Sequence, residues 1–91
     1  MYRIVYTKQS TKTLRKLPRN VAQLIRKKLE GIATDPHAQH NNVTKLQNRP
    51  GYRLRVGDWR VIYKIDNEQL VILVLKLGSR GSVYINERAD N

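Results

Sequence analysis

Residues 51–84, GYRLRVGDWRVIYKIDNEQLVILVLKLGSRGSVY, decide the fold. They read as two successive hairpins ending in a glycine–arginine loop and a tyrosine. Tyr52–Val56 and residues 59–63 flank Gly57-Asp58, and a two-residue loop with glycine first marks a type II′ turn. Counting outward pairs Val56 with Trp59, Arg55 with Arg60, Leu54 with Val61 and Tyr52 with Tyr63. Opposed residues share a face and side chains alternate along each strand. Arg53, Arg55 and Arg60 therefore fall on one side, and Tyr52, Leu54, Val56, Trp59, Val61 and Tyr63 on the other. Like charges opposed across strands are destabilising, so three arginines on one face call for an anionic partner.

The second hairpin turns at residues 66–69, with Ile65 expected opposite Leu70, Tyr63 opposite Ile72 and Val61 opposite Val74. The strand LVILVL at residues 70–75 is apolar on both sides, the mark of a central strand. On the Trp59 face this makes one apolar surface, interrupted only at Lys76. On the arginine face, Val71, Leu73, Leu75 and Leu77 are expected to form an apolar floor, either covered by a neighbouring element or part of a cleft. Residues 78–82, GSRGS, place Arg80 on a loop with Tyr84 just beyond. Residues 85–91 read as a short polar tail.

Upstream, residues 2–6 read as a β-branched and aromatic strand. Thr7 is expected to cap a helix over residues 8–17, which packs through Leu14 and Leu17. Pro18 opens a second helix with Val21, Leu24, Ile25, Leu29 and Ile32 at helical spacing, and Asp35-Pro36 ends it. Residues 36–50 read as a polar loop anchored by Val43 and Leu46. The expected fold is α+β, a small antiparallel sheet in β-α-α-β-β-β order with the helical hairpin packed on one face.

The chain has 91 residues, expected to form a single domain over 1–91. With no cysteine, neither disulfides nor thiolate metal sites are available. No run of about 18 apolar residues is present and Met1 leads directly into strand-like sequence, so a soluble cytoplasmic protein without membrane contact is expected. Net charge is +11, from 18 basic and 7 acidic residues, which points to a polyanionic partner. Residues 1–50 hold 11 basic against 2 acidic residues, and residues 51–91 hold 7 against 5. Lys8, Lys12 and Lys16 are spaced one helical turn apart, as are Arg15 and Arg19; phosphate contact, partner contact and plain solvation all remain open for them. His37 and His40 with Asp35 form no recognised ligand set, and no metal is expected, since a closed site takes about four ligands. Lys45 and Arg49, next to the first hairpin, extend the basic cluster.

The order of elements, YRLRVGDWRVIY at residues 52–63 and VLKLGSRGSVY at residues 74–84, resembles the RelE/ParE superfamily of toxins, most of all the RelE-type mRNA interferases of type II toxin–antitoxin systems. The resemblance spans nearly the whole chain. It implies cleavage of mRNA in the ribosomal A site, and silencing by a cognate acidic, RelB-like antitoxin through which the complex binds operator DNA. It assigns phosphate stabilisation to Arg53, Arg55 and Arg60, and leaving-group and 2′-hydroxyl chemistry to Arg80 and Tyr84. Lys45, Arg49, Lys76 and Ser79 are expected as further substrate contacts. The chain departs from the family pattern in carrying arginine where lysine is frequent at positions 53 and 55, and Ser79 where histidine is frequent.

Metal-free RNA cleavage needs a base for the 2′-hydroxyl, cations for the phosphorane and relief for the leaving oxygen, with no cofactor. Arginine forks match phosphate geometry, but their very high pKa bars them from acting as bases. Tyr84 is the candidate base, its ordinary pKa near 10 lowered by neighbouring cations, with His37, His40 and Lys45 as the other candidates. Two different functions fit the same pattern: a ParE-type inhibitor of DNA gyrase, and a relative that binds nucleic acid without cutting it.

Overall fold

The structure, a computed structural model, describes residues 1–79. Strand β1 (Arg3–Tyr6) leads into helices α1 (Lys8–Lys16) and α2 (Arg19–Thr34), followed by β2 (Val43–Lys45), β3 (Tyr52–Val56), β4 (Trp59–Asp66) and β5 (Val71–Ser79). The architecture is α+β, as expected. It differs from the expected sheet in two respects. The supposed loop at 36–50 contains the extra strand β2, and the sheet is mixed, ordered β1-β5-β4-β3-β2 with β1 parallel to β5.

Alternation fixes which face packs. Leu54 and Val56 of β3, Val61 and Tyr63 of β4, and Ile72, Val74 and Leu77 of β5 meet Leu14 of α1 and Ala22, Ile25, Leu29, Ile32 and Ala33 of α2 in one core. Two alanines complete the α2 stripe, letting helix and sheet approach, whereas Leu24, expected in it, is 46% exposed. None of the described helices is long and apolar enough to cross a membrane.

The first hairpin has the expected register throughout. Gly57 sits at φ +58° while Asp58 keeps a negative φ, the combination of a type II′ turn. The second hairpin departs from expectation. Ile65 faces Ile72 rather than Leu70, and Tyr63 faces Val74 rather than Ile72. The Asp66 carboxylate accepts the backbone N–H groups of Glu68 and Gln69, at 3.0 Å each, which builds an Asx turn. Leu70 then adopts φ +57° and lies exposed outside the strand, so the four-residue loop runs over 67–70, one position later than expected.

A β-bulge follows. Tyr63 pairs with Val74 and Ile62 with Lys76, so Leu75 is the extra residue. Beyond it the faces exchange: Lys76 moves to the arginine side, and Leu77, expected in the floor there, turns into the core opposite Val61. The bulge is held from the opposite end of the sequence. Thr7 caps α1 by accepting the Ser10 N–H at 3.2 Å, and its hydroxyl lies 3.0 Å from the Leu75 carbonyl oxygen it donates to. The fully buried Ser10 hydroxyl donates to the Val74 carbonyl at 3.1 Å, and the Thr7 N–H donates to the same oxygen.

Thr7→Val keeps the shape and removes both side-chain bonds, and should cost about 1–2 kcal/mol in urea unfolding. Combined with Ser10→Ala, the loss should fall short of the sum of the single losses, because both act on one carbonyl pair. Full additivity would show that cap and bulge are held independently.

Candidate active site

The face opposite the helices carries two cross-strand ranks. The first runs Asn42, Arg55, Arg60, Gly78, with Asn42 placed by a bond from the Arg55 N–H to its carbonyl at 2.9 Å. The second runs Thr44, Arg53, Ile62, Lys76. Asn42, Thr44, Arg53, Arg55 and Arg60 line a cavity of about 160 Å³, a cluster of three cations and two neutral polar groups. Asn42 and Thr44 were not expected. Each flanks or belongs to β2, whose three-residue span, VTK, is too short to stand out in a polar segment.

Neighbouring backbone offsets the repulsion of the directly opposed Arg55 and Arg60. Arg60 is only 5% exposed, and its Nη1 donates to the carbonyl oxygens of Gly57 and Trp59, each at 3.2 Å. The glycine turn thus presents a carbonyl to the guanidinium beside it. Arg55 is exposed and its Nη2 points to the Asn42 Oδ1 at 3.4 Å. One arginine is fixed by the hairpin and the other is steered by the β2 segment, a preorganised arrangement for an anion.

The remaining expected site residues divide. The bulge brings Lys76 into the second rank, correcting its expected place among the apolar residues of the Trp59 face. Arg49 lines a second cavity of about 290 Å³ that also takes in Thr44 and Arg53. Lys45 lines that cavity too, although its register opposite Tyr52 assigns it to the helix side. Ser79 faces Trp59 and so stands on the helix side as well. Arg80 and Tyr84 lie outside the described residues.

Candidate bases can be sorted by position. His37 donates through Nε2 to the Asn67 Oδ1 at 2.6 Å, an acceptor it shares with the Tyr2 hydroxyl. Asn67 follows the far end of β4, about 20 Å from Arg60 at the strand rise. His40 donates through Nε2 to the Asp35 carbonyl at 2.7 Å, and lines a cavity between α2 and β3 with Lys27, Lys28 and Leu54. Neither imidazole reaches the arginine cavity. Among the described residues, His, Asp and Glu nowhere gather in a group of three or more. The core tyrosines are unsuited to proton abstraction: burial raises Tyr6, and burial followed by the stacked Tyr52 pushes Tyr63 up to about 12.

Comparison with known proteins fits this geometry. A family model described as the ParE toxin of type II toxin–antitoxin systems, parDE, matches residues 4–84. The chain belongs to this toxin family. Its relatives include the mRNA interferase toxin RelE of Escherichia coli K12, 25% identical over 79 residues, covering 87% of this chain and 83% of that one. Among solved structures, the archaeal RelE–RelB complex of Pyrococcus horikoshii is 33% identical, with a TM-score of 0.76 over 88% of this chain and 96% of the other. The intact E. coli RelBE toxin–antitoxin complex gives 26% identity and a TM-score of 0.76, covering 87% and 96%. The protein is therefore a RelE-like toxin of the RelE/ParE superfamily.

The Tyr63 shift has a pH consequence. A phenol whose pKa rises on folding stabilises the fold fully below its unfolded value near 10, and that contribution is lost as pH climbs towards about 12. Urea midpoints should fall across this window in the wild type, and less in Tyr63→Phe. Equal alkaline slopes would place the titration elsewhere.

Proposed function

We propose that this toxin is an endoribonuclease that cuts mRNA in the ribosomal A site by attack of the 2′-hydroxyl on the adjacent phosphate, without a metal ion. The observation that carries the reading is the cavity in which Arg53, Arg55 and Arg60 meet. In the reaction a base removes the 2′-hydroxyl proton, and the oxygen bonds to phosphorus. The bond to the 5′-oxygen then breaks as that oxygen takes up a proton, leaving a 2′,3′-cyclic phosphate and a 5′-hydroxyl. Charge grows on the non-bridging oxygens midway, and paired guanidinium donors stabilise it most where water is excluded. Arg60, held by two carbonyls, supplies the fixed donors, and Arg55 and Arg53 the adjustable ones. Arg80 and Tyr84, by family resemblance, serve the leaving oxygen and the 2′-hydroxyl. Lys76 adds charge to the second rank. Such a kit positions and stabilises but brings few proton carriers, which suits an enzyme that relies on the ribosome to hold its substrate.

The partner that silences it is an acidic, RelB-like antitoxin, as the toxin–antitoxin complexes of similar fold support. Val5, Val71 and Leu73 floor a cavity of about 720 Å³ rimmed by charges of both signs, Arg3 and Lys64 with Asp66 and Glu68, and suited to the apolar side of an amphipathic helix. Operator DNA would be reached through that antitoxin, and the protein would act in the cytoplasm, where ribosomes are.

A second reading is favoured by the family description, which names ParE: inhibition of DNA gyrase on the same fold. Expression in cells, with primer extension on mRNA and a gyrase assay in parallel, separates the two. Codon-positioned cuts with intact DNA are expected; gyrase cleavage complexes with intact mRNA would refute the nuclease. Arg55→Ala and Arg60→Ala should each lower cleavage by roughly 10²-fold or more, the scale for losing one oxyanion donor. Arg80→Ala should likewise abolish toxicity in a folded protein. Tyr84→Phe should slow cleavage more than RNA binding; unchanged cleavage would assign the base elsewhere.

A further inference from the structure

We infer that the sheet face opposite the helices holds two consecutive phosphates of one RNA strand, the second lying in the cavity formed by Arg49, Arg53 and Lys45. The inference rests on the mRNA reading above and adds a subsite to it. The two cavities, of about 160 and 290 Å³, share Thr44 and Arg53. Arg55 and Arg53 stand two residues apart on one side of β3, about 7 Å along the strand. That spacing matches one nucleotide step of an extended backbone.

The reacting phosphate sits on Arg55 and Arg60, next to the Gly57 turn. The strand then runs along β3 towards the 46–51 loop, where the neighbouring phosphate meets Arg53, Arg49 and Lys45. The loop has its shape for local reasons. The Leu46 N–H donates to the Gly51 carbonyl at 3.0 Å and Asn48 takes φ +63°. Gly51 sits at φ +119°, where a Cβ would come within 3.0 Å of the Tyr63 carbonyl oxygen. Arg49, on this loop, is half-buried and lines the cavity together with Arg53. Nucleic acid fits this cavity better than an antitoxin helix does. Leu46 is the one aliphatic side chain among its described lining residues, whereas the apolar floor a helix needs lies at β1 and β5.

The test uses the purified toxin with ribosomes programmed by synthetic mRNA, carrying an uncharged methylphosphonate on either side of the cut. Arg49→Met should raise KM roughly tenfold with kcat preserved, the size of one charged hydrogen bond used equally in ground and transition states. Arg49→Lys should recover most of the loss. One of the two methylphosphonates should reproduce the defect in the wild type and add nothing to Arg49→Met. A wild-type KM in Arg49→Met, or losses that multiply at both flanking positions, would overturn the subsite while leaving the nuclease intact. A wild-type toxin that cuts none of the programmed mRNA would overturn both, and is seen before any variant is compared.

Discussion

The contact on which the face of this protein depends lies far from it in sequence. Thr7 and Ser10 fasten the start of α1 to the carbonyls of Val74 and Leu75, at the point where β5 carries one residue too many. A bulge left to itself exposes a polar backbone group and weakens the ladder. Here the helix cap absorbs that cost, so a single pair of hydroxyls starts a helix and stabilises an irregular strand. The bulge in turn decides which side Lys76 and Leu77 take. Without it, leucine would lie on the arginine side and lysine would be driven into the core, at a cost no charge can bear without a partner.

Concentrating cations on one face works against folding, and the structure spreads the burden. Arg60 is locked to the carbonyls of its own turn, Arg55 leans on Asn42, and Arg53 lies between two cavities. Guanidinium suits this arrangement because its donors are planar and fixed, and on the proposed reading a phosphate would meet them without reorganising the site. The helices add a diffuse positive field from Lys8, Lys12, Lys16 and their neighbours, which raises encounter with a polyanion without selecting a point on it. Bulk charge and focused charge thus come from different halves of the chain.

Where local chemistry decided the structure, the sequence could be read. Gly57-Asp58 has one low-energy way to reverse a chain between two strands, and the register of five residue pairs follows from it. The Thr7 cap and the Asp35 stop are local in the same sense. The second hairpin departs from its turn-residue pattern because Asp66 accepts hydrogen bonds from the residues that follow it and Leu70 takes a conformation unusual for leucine, neither of which that pattern conveys. The bulge at Leu75 was hidden for a stronger reason, since its cause lies more than sixty residues away. Asn42 and Thr44 escaped notice because β2 is three residues long and gains its order from β3 rather than from its own composition. In the candidate site, then, the arginines were visible and the groups that orient them were not.

The sheet face opposite the helices is divided chemically. At the β1–β5 side, Val5, Val71 and Leu73 offer apolar area, which any amphipathic partner can use whatever the toxin attacks. At the β2–β3 side, the surface is polar and converges on a volume the size of a phosphate group and its surroundings. Inhibiting an enzyme by binding it requires a broad complementary surface, and nothing in that task asks three guanidinium groups to meet. Stabilising a pentavalent phosphorus requires that convergence, because the charge to be neutralised develops on oxygens of a single atom. On the proposed nuclease reading, a phosphodiester passing between Arg55 and Arg60 accounts for their opposition across the hairpin.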